Sequence, residues 1–455
     1  MRICRSGMFA VAVLCAVLCA TLAACATGGG GAGTTQLGPG GLSALEAQRA
    51  QHPTDPDLNL RLARAYYAAN RFADARKALA LVLTQQPTNR IAQTYLGLSY
   101  EGMEQFDSAR AMYGILLATK PSGEVGRLLN GRLTLLARKE LHASARASLA
   151  HESELSRTPP DPNTVAVFPF RYTGQDSSLR PLERGLAALV VSDLSHVRRL
   201  RLVERERLQA LLDEMRLAAS GRVDPTTGAR SGHLVGAGQV VQGQFQEAPG
   251  TNIRLDATMV RAGDAQVAAT GSGRNPLNQL FDLEKSVVFQ LLTKTGVPVS
   301  PAESIAISER PTKDLQAFLL YSRGLESQDK GDFRAASADF KAAAQRDPTF
   351  QAAAQQSQSS DAAQSASGTS DNTLAAVVGG GGGGPSAGPP AGTTQALQLG
   401  INTTVPSGAT IVDQTGSGTP PSQQRPDPLC EAADCQGPIK NPTVIGTIII
   451  IIKRP

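Results

Sequence analysis

The residue types that most often carry enzyme chemistry are few and scattered in this sequence. Its five histidines are spread over 455 residues, and none belongs to a His-Glu-x-x-His pair of the kind that binds zinc. No Gly-x-x-x-x-Gly-Lys loop for phosphate is present. The glycine-rich stretch 232–243 lacks that lysine and precedes a predicted strand, which is the wrong order for phosphate binding. We therefore predict a non-enzymatic protein with no catalytic residue, no metal site and no cofactor.

Charged residues cluster at the predicted start of a helix near residue 205. Glu204 and Glu206 lie two positions apart, so on a helix their carboxylates point to different faces and do not form a general acid–base pair. Negative charge at a helix start is favoured by the helix dipole, which gives both residues a structural role. Five arginines lie in the same stretch: Arg198, Arg199, Arg201, Arg205 and Arg207. They form either a solvated face or a docking surface for an acidic partner or lipid headgroups.

The first residues have the pattern of an export signal. Arg2 and Arg5 precede an apolar run at 8–22, which is shorter than a membrane-spanning helix. The run ends in Leu-Ala-Ala-Cys at 22–25, which resembles the lipobox of bacterial lipoproteins. That resemblance implies removal of residues 1–24 and acylation of Cys25. A plain secretory signal with an accidental cysteine is the alternative.

Residues 25–54 begin with glycines and are predicted to be the flexible tether of the lipid anchor. In lipoproteins, an aspartate after the acylated cysteine often marks retention in the inner membrane. Ala26 occupies that position here, which favours the outer membrane and its periplasmic face. In that oxidising compartment Cys430 and Cys435 are predicted to form a disulfide, because a zinc site would need further ligands nearby. The net charge of +5 is small and dispersed, so no nucleic-acid partner is predicted.

A 34-residue period marks the segment 55–155. Pro87 and Pro121 are 34 residues apart, and small and apolar residues recur in the same slots before them. These pairs are Leu62/Leu96, Ala63/Gly97, Tyr66/Tyr100, Ala75/Ala109, Leu79/Tyr113 and Val82/Leu116. This pattern is typical of tetratricopeptide (TPR) repeats. A degenerate third copy from about 124 to 155 is predicted to expose four cationic side chains: Arg127, Arg132, Arg138 and Lys139.

TPR repeats stack into a solenoid whose concave face usually binds peptides or proteins. The candidate groove residues are Asn59, Tyr66, Asn70, Gln93 and Tyr100. A spacer without a partner is the alternative. The pattern returns at 312–356, where the expected slots hold Gly324, Ala336, Phe340, Ala343 and Pro348. Arg323 replaces the usual apolar residue, so this copy is imperfect.

Between the helical segments, residues 163–300 have a different pattern. After the proline-rich break at 158–164, strands and helices are predicted in the order β-α-β-α-β-β-β-α, which is an α/β sheet. The sequences VAVFPF, LVERERLQALLDEM, HLVGAGQVVQGQF and LDATMVRAGDAQVAATGSG resemble the periplasmic domain of the curli-secretion (CsgG-like) lipoproteins and the related TolB-amino-terminal-like and FlgO-like domains. The resemblance implies a lipoprotein that assembles or docks proteins, and self-association into a homo-oligomer.

One departure from the CsgG-like family bears on function. Its secretion channels insert two long hairpins, and each membrane strand needs about 9–11 residues. The corresponding positions here, 246–252 and 271–278, are predicted to be short. We therefore expect a scaffold rather than a conducting channel. A subunit of a CsgG-type secretion channel and a ligand-sensing α/β domain are the two alternatives.

The end of the chain is biased in composition. Residues 357–440 are rich in Gly, Pro, Ser and Thr and are predicted to be a disordered linker. Residues 441–455 contain five consecutive isoleucines, which strongly favour a strand. This terminal strand could add to a sheet edge, pack on the domain core, or touch a membrane.

Together these features predict an α+β multidomain lipoprotein. All-α TPR repeats flank a CsgG-like α/β sandwich domain, and a disordered Gly/Pro-rich region follows. The predicted function is a periplasmic scaffold, anchored to the outer membrane, in envelope assembly or curli-type secretion. Its partners are proteins bound in the TPR groove, and its membrane contact is the lipid anchor.

Overall fold

The computed structural model describes residues 39–216 and 224–380, and the backbone of 444–445 and 448–449. The first part is all helical. Its helices are α1 (Pro39–Gln51), α2 (Pro56–Ala68), α3 (Phe72–Gln85), α4 (Arg90–Gly102), α5 (Phe106–Ala118), α6 (Gly123–Ala150) and α7 (Glu152–Leu155). Helix α1 lies inside the range predicted to be a tether, and its Leu45 is buried against α2. The tether prediction is corrected there, because an apolar residue of α1 has a partner.

An α/β unit follows. Its elements are β1 (Thr164–Val167), β2 (Arg171–Tyr172), α8 (Leu182–Ser195), β3 (Arg201–Leu202), α9 (Arg205–Glu214), α10 (Pro225–Val235), β4 (Gln239–Ala248), β5 (Asn252–Arg261), β6 (Val267–Pro276), α11 (Leu280–Lys294) and α12 (Pro301–Ser308). Four helices follow: α13 (Leu315–Asp329), α14 (Phe333–Arg346), α15 (Gln351–Ser367) and α16 (Asp371–Val378). Two further strands, β7 (Val444–Ile445) and β8 (Ile448–Ile449), pair with each other.

The sheet has the strand order β3-β1-β4-β5-β6, and β2 also pairs with β4. The β3, β1 and β4 strands are parallel, whereas β4, β5 and β6 form an antiparallel meander. Alternate side chains of β1 enter different cores. Val165 and Val167 pack with α8 and α11, whereas Ala166 and Phe168 pack with α9 and α10. The result is an α/β sheet, as the sequence predicted, with helices on both of its faces.

This unit differs from the prediction in several places. Helices α10 and α12 and the short strand β2 are not among the predicted elements. The connection between β4 and β5 is short as expected, with a turn at 249–251. The stretch 271–278 is also short, as predicted: residues 271–276 end strand β6, which pairs with β5 and leads directly into a 3₁₀ turn at 277–279.

The predicted TPR pairs form where helices approach closely at a glycine. A Cβ atom on Gly97 would lie 2.7 Å from the ring of Tyr113, and one on Gly324 would lie 2.6 Å from the ring of Phe340. These contacts join α4 to α5 and α13 to α14.

Helix α2 begins at a side-chain cap. The Asp55 carboxylate accepts hydrogen bonds from two backbone amides of the first turn of α2.

The predicted third repeat is not a helix pair. Residues 123–150 form one helix of 28 residues, α6, whose main packing partner is α15, far along the chain at 351–367. At their crossing, a Cβ atom on Gly131 would lie 1.9 Å from the carbonyl oxygen of Ala362. The α/β unit is therefore inserted between two halves of one helical array.

Helical structure continues to Val378, beyond the predicted boundary of the disordered linker at 357. The Ala-rich face of α15 explains this correction, because Ala362, Ala363 and Ala366 are small enough to pack closely on α6 and are buried there. Within residues 39–216 and 224–380, no helix combines the length and apolarity needed to cross a membrane. Residues 1–24, Cys25, Cys430 and Cys435 lie outside the described residues.

Candidate protein-interaction groove

The first helices of successive units, α2, α4 and α6, share a face that holds the last described helix. We call this surface the inner groove. It is formed by Arg64, Tyr67, Ile91, Tyr95 and Arg132, and α16 lies on it. The groove is thus already occupied by a segment of its own chain, 277 residues beyond Tyr95.

Polar contacts fix the first turn of α16 in the inner groove. The Tyr67 hydroxyl donates a hydrogen bond of 2.6 Å to Oδ2 of Asp371. Arg132 Nη1 lies 3.0 Å from Oδ1 of the same carboxylate. The Tyr95 hydroxyl donates to the side-chain oxygen of the next residue, Asn372. One carboxylate is therefore bound by a phenol and a guanidinium, and the neighbouring amide by a second phenol.

Arg132 is held in place from behind by Glu101. Its Nε donates to Glu101 Oε1 at 3.0 Å, and its Nη2 donates to the other carboxylate oxygen. The Glu101 side chain is only 2% exposed and that of Arg132 only 12%. Burial disfavours the charge of Arg132, but Glu101 and Asp371 outweigh it and raise the pKa of the guanidinium. Arg132 therefore bridges two carboxylates, one structural and one from α16.

The electrostatics keep Tyr67 a hydrogen-bond donor at neutral pH. Burial, together with the hydrogen bond to Asp371, raises the pKa of its phenol well above the usual range. The ring packs edge-on against Tyr95 at 5.6 Å between centroids. Arg64 stacks its guanidinium 5.8 Å from the centre of the Tyr95 ring. These ring contacts help to orient the two phenols toward α16.

Apolar side chains hold the rest of α16. Leu374, Ala375 and Val378 are buried in the same core cluster as Tyr95. Just after the helix, a Cβ atom on Gly379 would lie 2.5 Å from Cγ1 of Ile91. The backbone at the end of α16 therefore approaches α4 as closely as a glycine permits.

Two of the predicted groove residues are structural. Asn59 is fully buried, and its amide donates to the carbonyl oxygens of Pro53 (2.9 Å) and Asp55 (2.7 Å). Tyr66 is buried between α1 and α2 and donates a 2.9 Å hydrogen bond to Glu46. Both predictions are corrected, because neither side chain faces the inner groove.

The other three predicted residues also differ from the expected role. Asn70 has a φ of 57° in the turn between α2 and α3, where Asn is tolerated best after Gly. Glu104 and Gly331 occupy the same turn position in the other two pairs, with φ of 56° and 77°. The side-chain amide of Gln93 donates a 2.8 Å hydrogen bond to the carbonyl oxygen of Pro87, which precedes α4. Tyr100 is half-buried beside the core of Tyr95.

The sequence pattern does not mark Tyr67, Tyr95 or α16 as parts of the groove, and it predicts that Arg132 is exposed. Tyr67 directly follows the predicted groove residue Tyr66, and one position on a helix corresponds to about 100° of rotation. Among the residues that the structure describes, no group of three or more His, Cys, Asp or Glu side chains is placed to hold a metal ion. The inner groove holds a helical peptide segment, α16.

Comparison with protein families assigns the α/β unit. Residues 146–248 match the family described as "Curli production assembly/transport component CsgG". This part of the chain is a CsgG domain. Beyond the matched residues, strands β5 and β6 continue its sheet. Helix α11 packs on these two strands. Residues 40–96, which contain α1 to α3 and the start of α4, match a tetratricopeptide repeat family.

Other comparisons add little to this assignment. No curated protein matches the chain. Among solved structures, the chain is similar to the "LpoB C-terminal domain from Salmonella enterica", with 14% identity and a TM-score of 0.20. That similarity spans 28% of this chain and 92% of the LpoB domain. The CsgG and TPR assignments therefore rest on the family matches and on the fold.

A buried charge cluster joins the CsgG domain to the helical array. Asp329, the last residue of α13, accepts from Arg184 of α8 at 2.8 Å and from Arg205 of α9 at 2.6 Å. Its backbone oxygen accepts from Arg138 of α6 at 2.7 Å. Burial disfavours the charge of Arg205, but Asp329 outweighs it and raises the pKa of the guanidinium. The five arginines near 205 are therefore not one exposed surface, because Arg205 is enclosed with Asp329.

Proposed function

We propose that this protein is a periplasmic lipoprotein, anchored to the outer membrane through Cys25, that acts as a non-enzymatic scaffold in envelope assembly or curli-type secretion. Its TPR helices bind a protein partner, and its CsgG domain docks on an envelope assembly or on further copies of itself. The finer parts of this proposal, the membrane and the pathway, rest on residues 22–25 and on the CsgG family match.

The observation that supports the scaffold role most is the connection between the two units. Asp329 contacts the CsgG domain through two arginines and the TPR side through Arg138. Because α6 also packs on α9, displacement of one unit relative to the other would break buried ion pairs. A partner bound to the TPR helices would thus be held at a fixed position relative to the CsgG domain.

Attachment is tested by labelling cells with radioactive palmitate and separating the inner and outer membranes on a density gradient. We expect label on the protein in the outer-membrane fraction, and no label on Cys25→Ser. Cys430→Ser is the matched control and should label normally. Unlabelled wild-type protein, or label only in the inner membrane, would contradict the anchoring proposal.

The scaffold role is tested with the full chain carrying a photo-crosslinking residue at position 93, in the first turn of α4. We expect one discrete adduct in cells, absent when the probe replaces exposed Gln266 at the β5–β6 turn. A subunit of a CsgG-type secretion channel is the second candidate, favoured by the family match. Ion conductance of the purified full chain in planar bilayers would support the channel and contradict the scaffold.

A further inference from the structure

The residues of α16 that contact the inner groove have the spacing of a helix bound in a groove. Asp371, Leu374, Ala375 and Val378 occupy positions i, i+3, i+4 and i+7, which form one face of a helix. The same spacing anchors amphipathic helices of one protein in grooves of another. Helix α16 therefore contacts the inner groove in the manner of a bound peptide.

Helix α16 is short and weakly supported by its own sequence. It has 8 residues, and isolated helices shorter than about 12–15 residues are marginal in water. Its local support is the Ser370 cap, which accepts from the Thr373 amide at 3.2 Å. Gly368 precedes it, and Gly379 and Gly380 follow, so the backbone on both sides is permissive. Its helical form consequently depends on contacts with the inner groove.

The groove side of the contact is built independently of α16. Arg132 is fixed by two hydrogen bonds to Glu101, and Lys139 adds a third contact to that carboxylate at 3.4 Å. Tyr67 and Tyr95 are fixed by their mutual ring contact. Removal of α16 would leave a guanidinium and two phenols oriented toward an apolar surface. That set recognises a carboxylate followed by apolar side chains one and two turns later.

We propose that the inner groove is a receptor for a helical peptide of a protein partner, with an acidic residue in its first turn and apolar residues at i+3, i+4 and i+7, and that α16 is the competing occupant within the chain. The proposal rests on the protein-binding role proposed above. Tethering gives α16 an effective concentration of about a millimolar. A partner therefore binds only if its own affinity or local concentration exceeds that of α16.

The test uses a fluorescent peptide with the sequence of residues 368–380 and the full-length protein. In Leu374→Asp/Val378→Asp, two buried apolar anchors become charged, which should release α16. We expect this opened variant to bind the peptide at least tenfold more tightly than the wild type by fluorescence anisotropy. Adding Arg132→Ala to the opened variant should weaken binding at least tenfold, whereas adding Arg76→Ala, an exposed arginine of α3, should not. Equal affinity of wild type and opened variant would overturn the proposal, as would full binding without Arg132.

Hydrogen exchange on the wild type keeps the test decisive if the opened variant does not fold. Excess peptide should accelerate amide exchange in residues 371–378 several-fold and leave α13 unchanged. A peptide whose aspartate is replaced by alanine should have a much smaller effect. The proposed competition between α16 and the peptide would be overturned if amide exchange in residues 371–378 were as slow as in α13 and did not respond to the peptide. Palmitate labelling and crosslinking at position 93 do not depend on α16, so this failure would leave the scaffold proposal in place.

Discussion

The hydroxyl of Tyr67 and the carboxylate of Asp371 form a 2.6 Å hydrogen bond across 304 residues of sequence. Tyr67 lies in the first TPR helix, and Asp371 begins the last described helix. The contact places the end of the described chain against its beginning, on the face where TPR repeats usually bind their partners. Whether that face is open therefore depends on the chain itself.

Replacing Tyr67 by phenylalanine should loosen α16 without unfolding the protein. The change removes a hydrogen bond to a charged acceptor, worth about 1.5 kcal/mol. We expect amide exchange in 371–378 to become about tenfold faster, while the urea midpoint stays within error. Tyr100→Phe, at the equivalent position to Tyr66 and half-buried, is the control and should leave exchange unchanged. Unaltered exchange in Tyr67→Phe would show that the phenol does not hold α16.

Gly131→Ala should destabilise the helical array at the α6–α15 crossing. The new Cβ would lie 1.9 Å from the carbonyl oxygen of Ala362, so one helix must move. We expect a loss of about 2 kcal/mol in the free energy of unfolding, measured with urea. Gly114→Ala is the control, because no atom lies within 4 Å of its Cβ position and alanine favours helix there. Gly114→Ala should raise the free energy of unfolding by up to about 1 kcal/mol. An unchanged free energy of unfolding in Gly131→Ala would contradict the close α6–α15 crossing.

Asp329→Asn should weaken the connection between the CsgG domain and the helical array. It leaves Arg184 and Arg205 buried without their carboxylate, which typically costs about 3 kcal/mol or more. We expect a lower urea midpoint and faster proteolysis between the two units. The control Asp107→Asn removes a carboxylate that is 94% exposed and should change neither quantity. Wild-type behaviour of Asp329→Asn would mean that the units are joined mainly by apolar packing.

A buried acidic pair makes stability depend on pH. Asp193 accepts from Lys285 at 2.6 Å, and Glu284 is fully buried beside them. Burial and then the charge of Asp193 raise the pKa of Glu284 well above the usual range. A raised carboxyl pKa stabilises the fold below the unfolded pKa, about 4.3, and that contribution is lost as the pH rises toward the folded pKa.

The prediction is therefore that wild-type Tm falls between pH 5 and pH 8 more than the Tm of Glu284→Gln. The neutral amide has the size of the protonated acid and does not titrate, so it removes this part of the pH dependence. Thermal unfolding at both pH values measures it. Exposed Glu309→Gln should follow the wild type. Parallel Tm curves for wild type and Glu284→Gln would contradict the assigned direction.

A cap on the exposed edge of the sheet should limit self-association. Gln290 of α11 accepts from the backbone amide of Ser272 at 3.2 Å and donates to its carbonyl oxygen at 3.1 Å, on the outer side of β6. Edge strands with free hydrogen-bonding groups pair with other chains. Gln290→Ala should therefore raise the weight-average mass in sedimentation at high concentration. The control is Gln351→Ala, an exposed residue of α15. A monodisperse Gln290→Ala would show that the edge is protected in another way.

The sequence predicted the parts of the fold that repeat or alternate. The 34-residue spacing of Pro87 and Pro121 located the first two TPR pairs, and VAVFPF located β1, an interior strand of the CsgG domain. The pairing of α6 with α15 was not predictable in this way, because its contact joins Gly131 to Ala362. The sequence of α15 is rich in Ala, Ser and Gln, and lacks the large apolar residues that mark a buried helix.

The candidate site was predicted as a region but not as a set of residues. Tyr66 and Tyr67 are adjacent and of the same type, so only the rotation of α2 against α1 determines which one faces the inner groove. Asn59 has the polarity of a binding residue, yet its amide closes the loop before its own helix. Local sequence does not distinguish a buried amide from a binding one, because both require a hydrogen-bonding side chain.

The insertion of the CsgG domain between the two halves of the helical array has a consequence for biosynthesis. A chain synthesised from its N-terminus presents α6 long before residues 351–367 are made and can pack on it. During that interval the surface around Gly131 is bare and open to chaperones or proteases. A truncated chain that lacks residues 351–367 leaves this surface of α6 permanently exposed. Exposure of α6 therefore differs between a complete helical array and an incomplete one.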